Sequence, residues 1–399
     1  MAAQNDSDEW IIPSTSSEES RVMFAALDSF RSAHYNVTHR RRQNFYALPS
    51  AQYEMLARAP FNLLQTFERV DEAIDANADI AYEIIKTSLQ SLGFPPHSIF
   101  WHGCATPSDL DKARSTLRQL YRDWSAEGAH ERNACYKPVL KDLDDNFPDN
   151  IYRGDKSTVK VLVPGAGLGR LVFEICGRGY SVEGNEISWH QLMTCNWALN
   201  YIPPGSSYVL RPFATDFSNN ISREHQLKAV MIPDVHVGSE LGDGVARSDR
   251  MTMTASDFIV LYGDRQHQDT FDAVASVFFV DTAPNVIKYI EVIRNCLKEE
   301  GIWINLGPLL WHFAERGPPT PDEHVDPSQM EERTGIEAPG SFELTDEELL
   351  LLVENMGFII EKREILDGQG YIQNRHSMLQ NTYNCSHWIA RKKPTAAHL

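Results

Sequence analysis

The sequence predicts an α/β fold: a mostly parallel sheet with helices on both faces, and an added helical N-terminal region. Three observations predict it. Val159-Lys160-Val161-Leu162-Val163-Pro164-Gly165-Ala166-Gly167-Leu168-Gly169-Arg170-Leu171-Val172-Phe173-Glu174 reads as a buried strand, a glycine loop and a helix; a short β-branched run bounded by Pro and Gly suits a strand covered on both faces. From residue 151 onward, short apolar runs alternate with amphipathic stretches, the pattern of a parallel sheet. Before residue 150 the periodicity is helical.

Residues 1–20 are rich in Ser, Glu and Asp and read as a disordered tail without the basic start and apolar middle of a secretory leader. Residues 21–150 form the helical region, expected to cover the cofactor site. Phe24, Leu27 and Phe30 share one face, and Ile80, Ile84 and Ile85 another. Gly93-Phe94-Pro95-Pro96 marks a loop. A helix is predicted from about Pro107 to Trp124; Gln119 and Arg122, three apart, point the same way. Another helix is predicted over Asn133–Leu143, before the loop Asp144–Asp149.

Residues 151–393 form the core. Gly179–Glu186 reads as a second strand ending in an acid, Trp189–Tyr201 as a helix and Ser207–Phe213 as a third strand. Residues 214 to 251 look loop-rich. Phe271–Asp281 is a buried strand ending in an acid, Asn285–Lys298 an amphipathic helix and Gly301–Gly307 the next strand. Residues 315–340 read as a surface insertion. Thr345–Met356 is a helix with an acidic first turn; Phe358–Glu361 and Ser386–Ala390 are the last strands.

Composition bounds the function. The 37 basic and 55 acidic residues give −18, so the chain as a whole repels nucleic acid and anionic membrane. The one dense basic run, His39-Arg40-Arg41-Arg42, reads as a solvated helix end. No run approaches the roughly 18 apolar residues of a membrane span. Six scattered cysteines form no C-x-x-C pair, which indicates neither zinc nor a disulfide scaffold. They read as free thiols in a reducing compartment, the cytoplasm or also the nucleus. No metal is expected.

Gly165, Gly167 and Gly169 let the backbone turn tightly and approach a ligand, and the following helix aims its free N–H groups at that loop. Glu186, about twenty residues past Gly165, stands where a carboxylate accepts ribose hydroxyls; the plainer alternative is a solvated neighbour of a helix cap. Two details favour S-adenosyl-L-methionine over a dinucleotide. Arg170 stands where the dinucleotide pattern wants its third glycine. Leu297-Lys298-Glu299-Glu300-Gly301 looks like the helix–turn–strand punctuation of class I methyltransferases, and Asp257-Phe258 looks like the acid and aromatic that meet adenine there. The alternatives are a turn cap for Asp257 and a core ring for Phe258.

A closer resemblance lies in longer blocks. Glu131–Pro138, Val163–Leu171, Gly184–Glu186, Phe278–Ile287 and Gly301–Phe313 are similar to the carnosine N-methyltransferase family. Pro164 before the first glycine and the run Asn305-Leu306-Gly307-Pro308-Leu309-Leu310 are specific to that family. The resemblance spans about residues 21 to 393. It implies a class I methyltransferase (Rossmann-like) core and methyl transfer from S-adenosyl-L-methionine to the imidazole of carnosine, giving anserine, or of a related histidine-containing peptide. It implies cofactor contacts at Gln119 and Arg122, which are otherwise a solvated helix face, and Val277 joins the cofactor set. It implies substrate contacts at Asp281 and His312, the catalytic candidates, and at Tyr371 and Tyr383, which are otherwise core tyrosines. Asp281 is otherwise the N-cap of the next helix, and His312 a packing residue. Asp367-Gly368-Gln369-Gly370 departs from the family pattern. The sequence leaves open an NAD(P)-dependent oxidoreductase, a non-catalytic methyltransferase-fold binding protein, and a homodimer.

Overall fold

The computed structural model describes residues 14–95, 101, 103–152, 154–241, 250–315, 335 and 340–394. The expected insertion (315–340) lies almost wholly outside the described residues, as do residues 1–13 of the expected disordered tail; Ser14–Ser20 is instead helical, the start of a helix that runs to Asp28. The chain divides into Met1–Leu117 and Arg118–Leu399, a boundary inside one helix.

The first unit is helical. It holds α1 (Ser14–Asp28), α2 (Phe30–Tyr46), α3 (Ser50–Ala57), α4 (Leu63–Ser91) and the start of α5 (Pro107–Trp124). Phe67, Val70, Ile74, Ala78, Ala81 and Ile84 of α4 recur every three or four residues and are buried, with Phe24, Leu27 and Phe30. The basic run lies within α2, where Arg42 pairs with Asp71 at 2.6 Å and Arg41 donates to the Val37 carbonyl at 2.8 Å.

The second unit is a three-layer α/β structure. It continues with α6 (Ala129–Asn146), α7 (Asp149–Tyr152), β1 (Lys160–Pro164), α8 (Arg170–Gly177), β2 (Ser181–Glu186) and α9 (Trp189–Asn196). The later strands are β3 (Tyr208–Leu210), β4 (Val230–Ile232), β5 (Met251–Ala255), β6 (Phe271–Val277), β7 (Leu297–Gly307), β8 (Phe358–Gly370) and β9 (Thr382–Lys392). The main sheet has the order β5-β2-β1-β6-β7-β9-β8. The pairings from β5 to β7 are parallel; β9 runs antiparallel to both β7 and β8. Alternation along the strands feeds two cores. Val161, Val163 and Ile304 pack with α6 and α8. Leu162, Val274 and Trp303 pack with the helices Phe258–Tyr262, Val286–Cys296 and Asp346–Asn355.

Four expectations shift. Ser207–Phe213 does not join the main sheet. Tyr208–Leu210 pairs antiparallel with β4 in a separate ribbon, because Pro203-Pro204 and Pro212 confine it to three residues. The stretch expected to be loop-rich (214 to 251) contains β4 and ends where edge strand β5 begins, whose half-buried Met-Thr alternation lacks the continuous apolar run of a central strand. The strand over Phe271–Asp281 ends at Val277; Phe278 turns left-handed (φ 55°) and Val280–Thr282 is a 3₁₀ turn. The last two strands are long, so Tyr383 lies within β9 opposite Gln369, and Tyr371 directly follows β8.

Candidate active site

A cavity of about 300 Å³ opens at the carboxyl ends of β1, β2 and β6. That is where a parallel sheet leaves a crevice between diverging connections. Gln119, Arg122, Gly165, Gly167, Glu186, Asp257, Phe258, Val277, His312 and Tyr371 all line it.

The glycine loop is shaped by steric need. Gly165 and Gly167 take φ of 63° and 58°, where a side chain is strained. A Cβ on Gly165 would come within 2.7 Å of the Phe279 ring; one on Gly167 would face the Gln191 and Gln119 side chains at 3.0 and 3.2 Å. Gly169 has a different role. It precedes α8 at φ 76°, and its bare Cα faces Cys195 and Leu199, away from the cavity.

Glu186 closes β2 and ties the loop down. One carboxylate oxygen accepts from the Gly167 N–H at 3.0 Å, the other from Ile187 and Ser188, both at 2.9 Å. Burial raises its pKa, and the three N–H donors oppose that shift. Asp257 is indeed a cap: one oxygen accepts from Ile259 and Val260 at 2.8 and 3.1 Å. Phe258 is indeed a core ring, edge-on to Phe279 and Tyr289, which stack at 4.6 Å. Both also border the cavity, so the structural and cofactor readings coexist.

Arg122 carries the clearest sign of a ligand-binding group. The side chain is only 4% exposed. Its Nη1 donates to Asp123 at 3.0 Å and to the Tyr136 hydroxyl at 3.4 Å, while Nε and Nη2 are buried without a hydrogen-bond partner. Burial opposes its charge, but Tyr136 and Asp123 hold its pKa well above arginine's ordinary value. The guanidinium lies over the rings of Tyr371 (5.0 Å), Tyr136 (5.1 Å) and Phe278 (5.8 Å). A buried cation with two idle donors fits the carboxylate of an amino-acid-bearing cofactor.

Arg170, the residue that breaks the dinucleotide pattern, has a structural use. It donates to Asp234 at 2.6 Å, to Glu174 at 3.0 Å and to the Asp123 carbonyl at 3.0 Å. Arg132 shares Asp234 at 2.7 Å and donates to the Arg122 carbonyl at 2.7 Å. Trp124 Nε1 donates to the Leu168 carbonyl at 3.0 Å. These bonds brace the end of α5 against the glycine loop, so Gln119 and Arg122 point into the cavity rather than into solvent.

The acceptor side is built on two strained turns. Phe278 and Trp311 both adopt left-handed backbone, φ 55° and 47°. Asp281 lies in the 3₁₀ turn between β6 and the next helix, 2% exposed. It is not that helix's cap; Asn285 is, accepting from Ile287 at 3.1 Å. Asp281 accepts the Leu310 N–H at 2.8 Å on its carboxylate and the His312 N–H at 3.0 Å on its carbonyl. Its pKa is raised by burial, against the Leu310 N–H and His312. Asp281 thus lies behind the wall, holding the turn that presents exposed His312. Tyr371 follows β8, and desolvation pushes its pKa up to about 12, so it stays a phenol near neutrality. Tyr383 does not reach the cavity; its ring packs against Phe278 at 6.0 Å.

Sequence reasoning passed over Asp123, Tyr136, Asn185, Gln191, Phe278, Phe279, Thr282 and Tyr289, which also line the cavity. Tyr136 lay in the Glu131–Pro138 block and Phe278, Phe279 and Thr282 in the Phe278–Ile287 block, a signal that was available. Asp234 had none, since nothing local marks a carboxylate that two distant arginines share. Glu131 turns out to hold the Tyr371 loop, accepting the N–H groups of Ile372 and Gln373 at 2.7 and 2.9 Å. Among the described residues no His/Cys/Asp/Glu group could hold a metal, and no helix is long and apolar enough to cross a membrane.

A glycine loop on the first strand, an acid closing the second, an aromatic wall and an idle buried arginine define a class I S-adenosyl-L-methionine-dependent methyltransferase. The family model described as carnosine N-methyltransferase matches residues 99–394. The Schizosaccharomyces pombe carnosine N-methyltransferase is 32% identical over 380 residues, 94% of this chain and 96% of its own. The Rattus norvegicus carnosine N-methyltransferase is 35% identical over 391 residues, 95% and 88%. The chain belongs to the carnosine N-methyltransferase family, and is an enzyme that methylates carnosine-like acceptors with S-adenosyl-L-methionine. Family membership sets aside the oxidoreductase and non-catalytic alternatives.

Proposed function

We propose that this enzyme methylates the imidazole of carnosine, giving anserine, and accepts related histidine-containing dipeptides or peptides. The observation that carries the reading is the pairing of buried Asp281 with the turn that sets His312 at the cavity. The cofactor supplies an electrophilic methyl group on a sulfonium. Arg122 would hold its carboxylate, Glu186 its ribose hydroxyls, and Asp257 with Phe258 its adenine.

The acceptor is a neutral imidazole, whose bare nitrogen is a competent nucleophile near pH 7. As the N–C bond forms and the C–S bond breaks, positive charge spreads over the ring. The ionised Asp281, in a low-dielectric setting behind His312, stabilises that charge through space. His312 accepts the proton from the ring's other nitrogen and passes it to solvent. Tyr371 and Phe278 wall the acceptor and exclude water. A cytoplasmic or nuclear location, where thiols stay reduced, fits the scattered cysteines of the sequence.

The test is transfer of labelled methyl from the cofactor into carnosine and into a metabolite extract, with the product identified. Label in a product other than a methylated histidine ring would sink the reading.

A further inference from the structure

A second cavity, of about 400 Å³, lies apart from the methyl-transfer site. Part of its lining is apolar: Tyr121 and Phe213 meet edge-on at 5.2 Å, and Pro212 and Val230 also line it. Part is basic. Lys228 and Arg375 are exposed and line it, as do His225 and His376, whose rings stack at 4.1 Å and 14°. His225 Nδ1 is buried without a hydrogen-bond partner. Against these four groups the described lining residues include one acid, Glu127, with Glu131 acting on Tyr121 from outside the lining. In a chain of net charge −18, such a concentration of basic groups against one carboxylate is unusual. It is also self-repelling. His376 has its pKa lowered by desolvation and then by His225, Lys228 and Arg375. An anion relieves that repulsion.

We propose that this cavity is a second ligand site, taking a small molecule that carries a phosphoryl group on a planar apolar body. Lys228 and Arg375 take the phosphoryl oxygens, Arg375 through its forked guanidinium. His225 adds a hydrogen bond from Nδ1. The planar body lies against Tyr121 and Phe213.

The site is mechanically linked to the active site. Arg375 and His376 sit on the β8–β9 connection that begins with Tyr371. Glu131 fixes that connection at Ile372 and Gln373, and the Met378 N–H donates to the Asn219 carbonyl at 2.7 Å. A ligand bridging Arg375 to Lys228 therefore stiffens the segment that carries Tyr371. On the reading of Tyr371 as part of the acceptor wall, occupancy lowers the KM for the acceptor and leaves the cofactor's KM unchanged.

The test uses the full chain saturated with S-adenosylhomocysteine, so that Arg122 is already engaged, and phenyl phosphate as the probe in calorimetry. Phenyl phosphate is expected to bind, with affinity falling about tenfold or more in the Lys228→Ala/Arg375→Ala variant. That variant should keep its S-adenosylhomocysteine affinity. Absence of binding to the unaltered protein, or equal affinity in the variant, overturns the site. Binding with no change in the KM for carnosine overturns the link to Tyr371. The binding arm needs no turnover, so it stands or falls separately from the choice of acceptor.

Discussion

The Gly167 N–H and the Glu186 carboxylate are hydrogen-bonded at 3.0 Å across the ends of two parallel strands. The acid expected to face the ribose is also the clamp that shapes the glycine loop. Glu186→Gln keeps the size and one acceptor oxygen but loses the charge. It should weaken S-adenosylhomocysteine binding by about 1.5–3 kcal/mol, the worth of a charged hydrogen bond, roughly ten- to hundredfold. Calorimetry measures it; unchanged affinity would remove Glu186 from the cofactor site.

Gly167→Val places a β-branched residue at φ 58°, against Gln191 and Gln119. The backbone strain alone is about 1–3 kcal/mol, and the side chain occupies the cofactor's approach. Cofactor binding should be lost while far-UV circular dichroism stays native.

Arg122→Ala removes the two idle donors from the cavity. S-adenosylhomocysteine affinity should drop by about 2–3 kcal/mol, as for a lost charge-assisted contact. Adenosine, which has no amino-acid carboxylate, should bind the variant and the unaltered enzyme alike. An equal loss for adenosine would show that Arg122 only supports the fold.

Asp281→Asn separates catalysis from stability. Burial raises the Asp281 pKa, so its ionised form is unfavourable in the folded state: the stability it contributes is present below its unfolded pKa and lost as pH rises through its folded pKa. The neutral amide should give an unchanged or higher Tm at pH 7 and still accept the Leu310 N–H. The transfer rate should fall by about a hundredfold, as for loss of a preorganised electrostatic group, with cofactor affinity intact. An acid limb from protonation of the acceptor imidazole should persist in both enzymes, while the further inflection of Asp281, displaced above the ordinary aspartate range, should be absent in the variant. An inflection that persists there would assign that titration to another group.

Stability at low pH should be governed by Asp142 and Glu364. His387 is fully buried with Asp142 and Glu364 each 2.7 Å from one ring nitrogen, and Lys362 pairs with both acids. Burial works against ionised Asp142, but His387 and Lys362 hold its pKa below the ordinary value; Glu364 is lowered by Lys362 first. Depressed carboxylates contribute stability above their unfolded pKa and lose it as pH falls through the folded one. Tm should decline on acidification below about pH 4. Asp142→Asn should cost about 2–4 kcal/mol, somewhat less than a fully buried pair because Lys362 is a third exposed. Urea titration checks both.

Local pattern determined much of this protein. The β1–loop–α8 unit, Glu186 at the end of β2, the helix from Pro107 to Trp124 and the presence of strands β1, β2, β6 and β7 all follow from runs of adjacent residues. Periodicity and turn chemistry act over a few positions and are legible one stretch at a time. The family blocks likewise announced residues at the cavity before any fold existed. Tertiary structure decided what those runs do together. It moved Ser207–Phe213 out of the sheet, brought β5 to its edge, and set Asp281 behind His312 instead of at a strand end. It turned Arg170 from a missing glycine into a brace, through an Asp234 that no motif marks. The physical reason is range. Whether a buried charge is paired, or an arginine left with idle donors, depends on partners dozens to hundreds of residues away, and only packing settles which of them arrive.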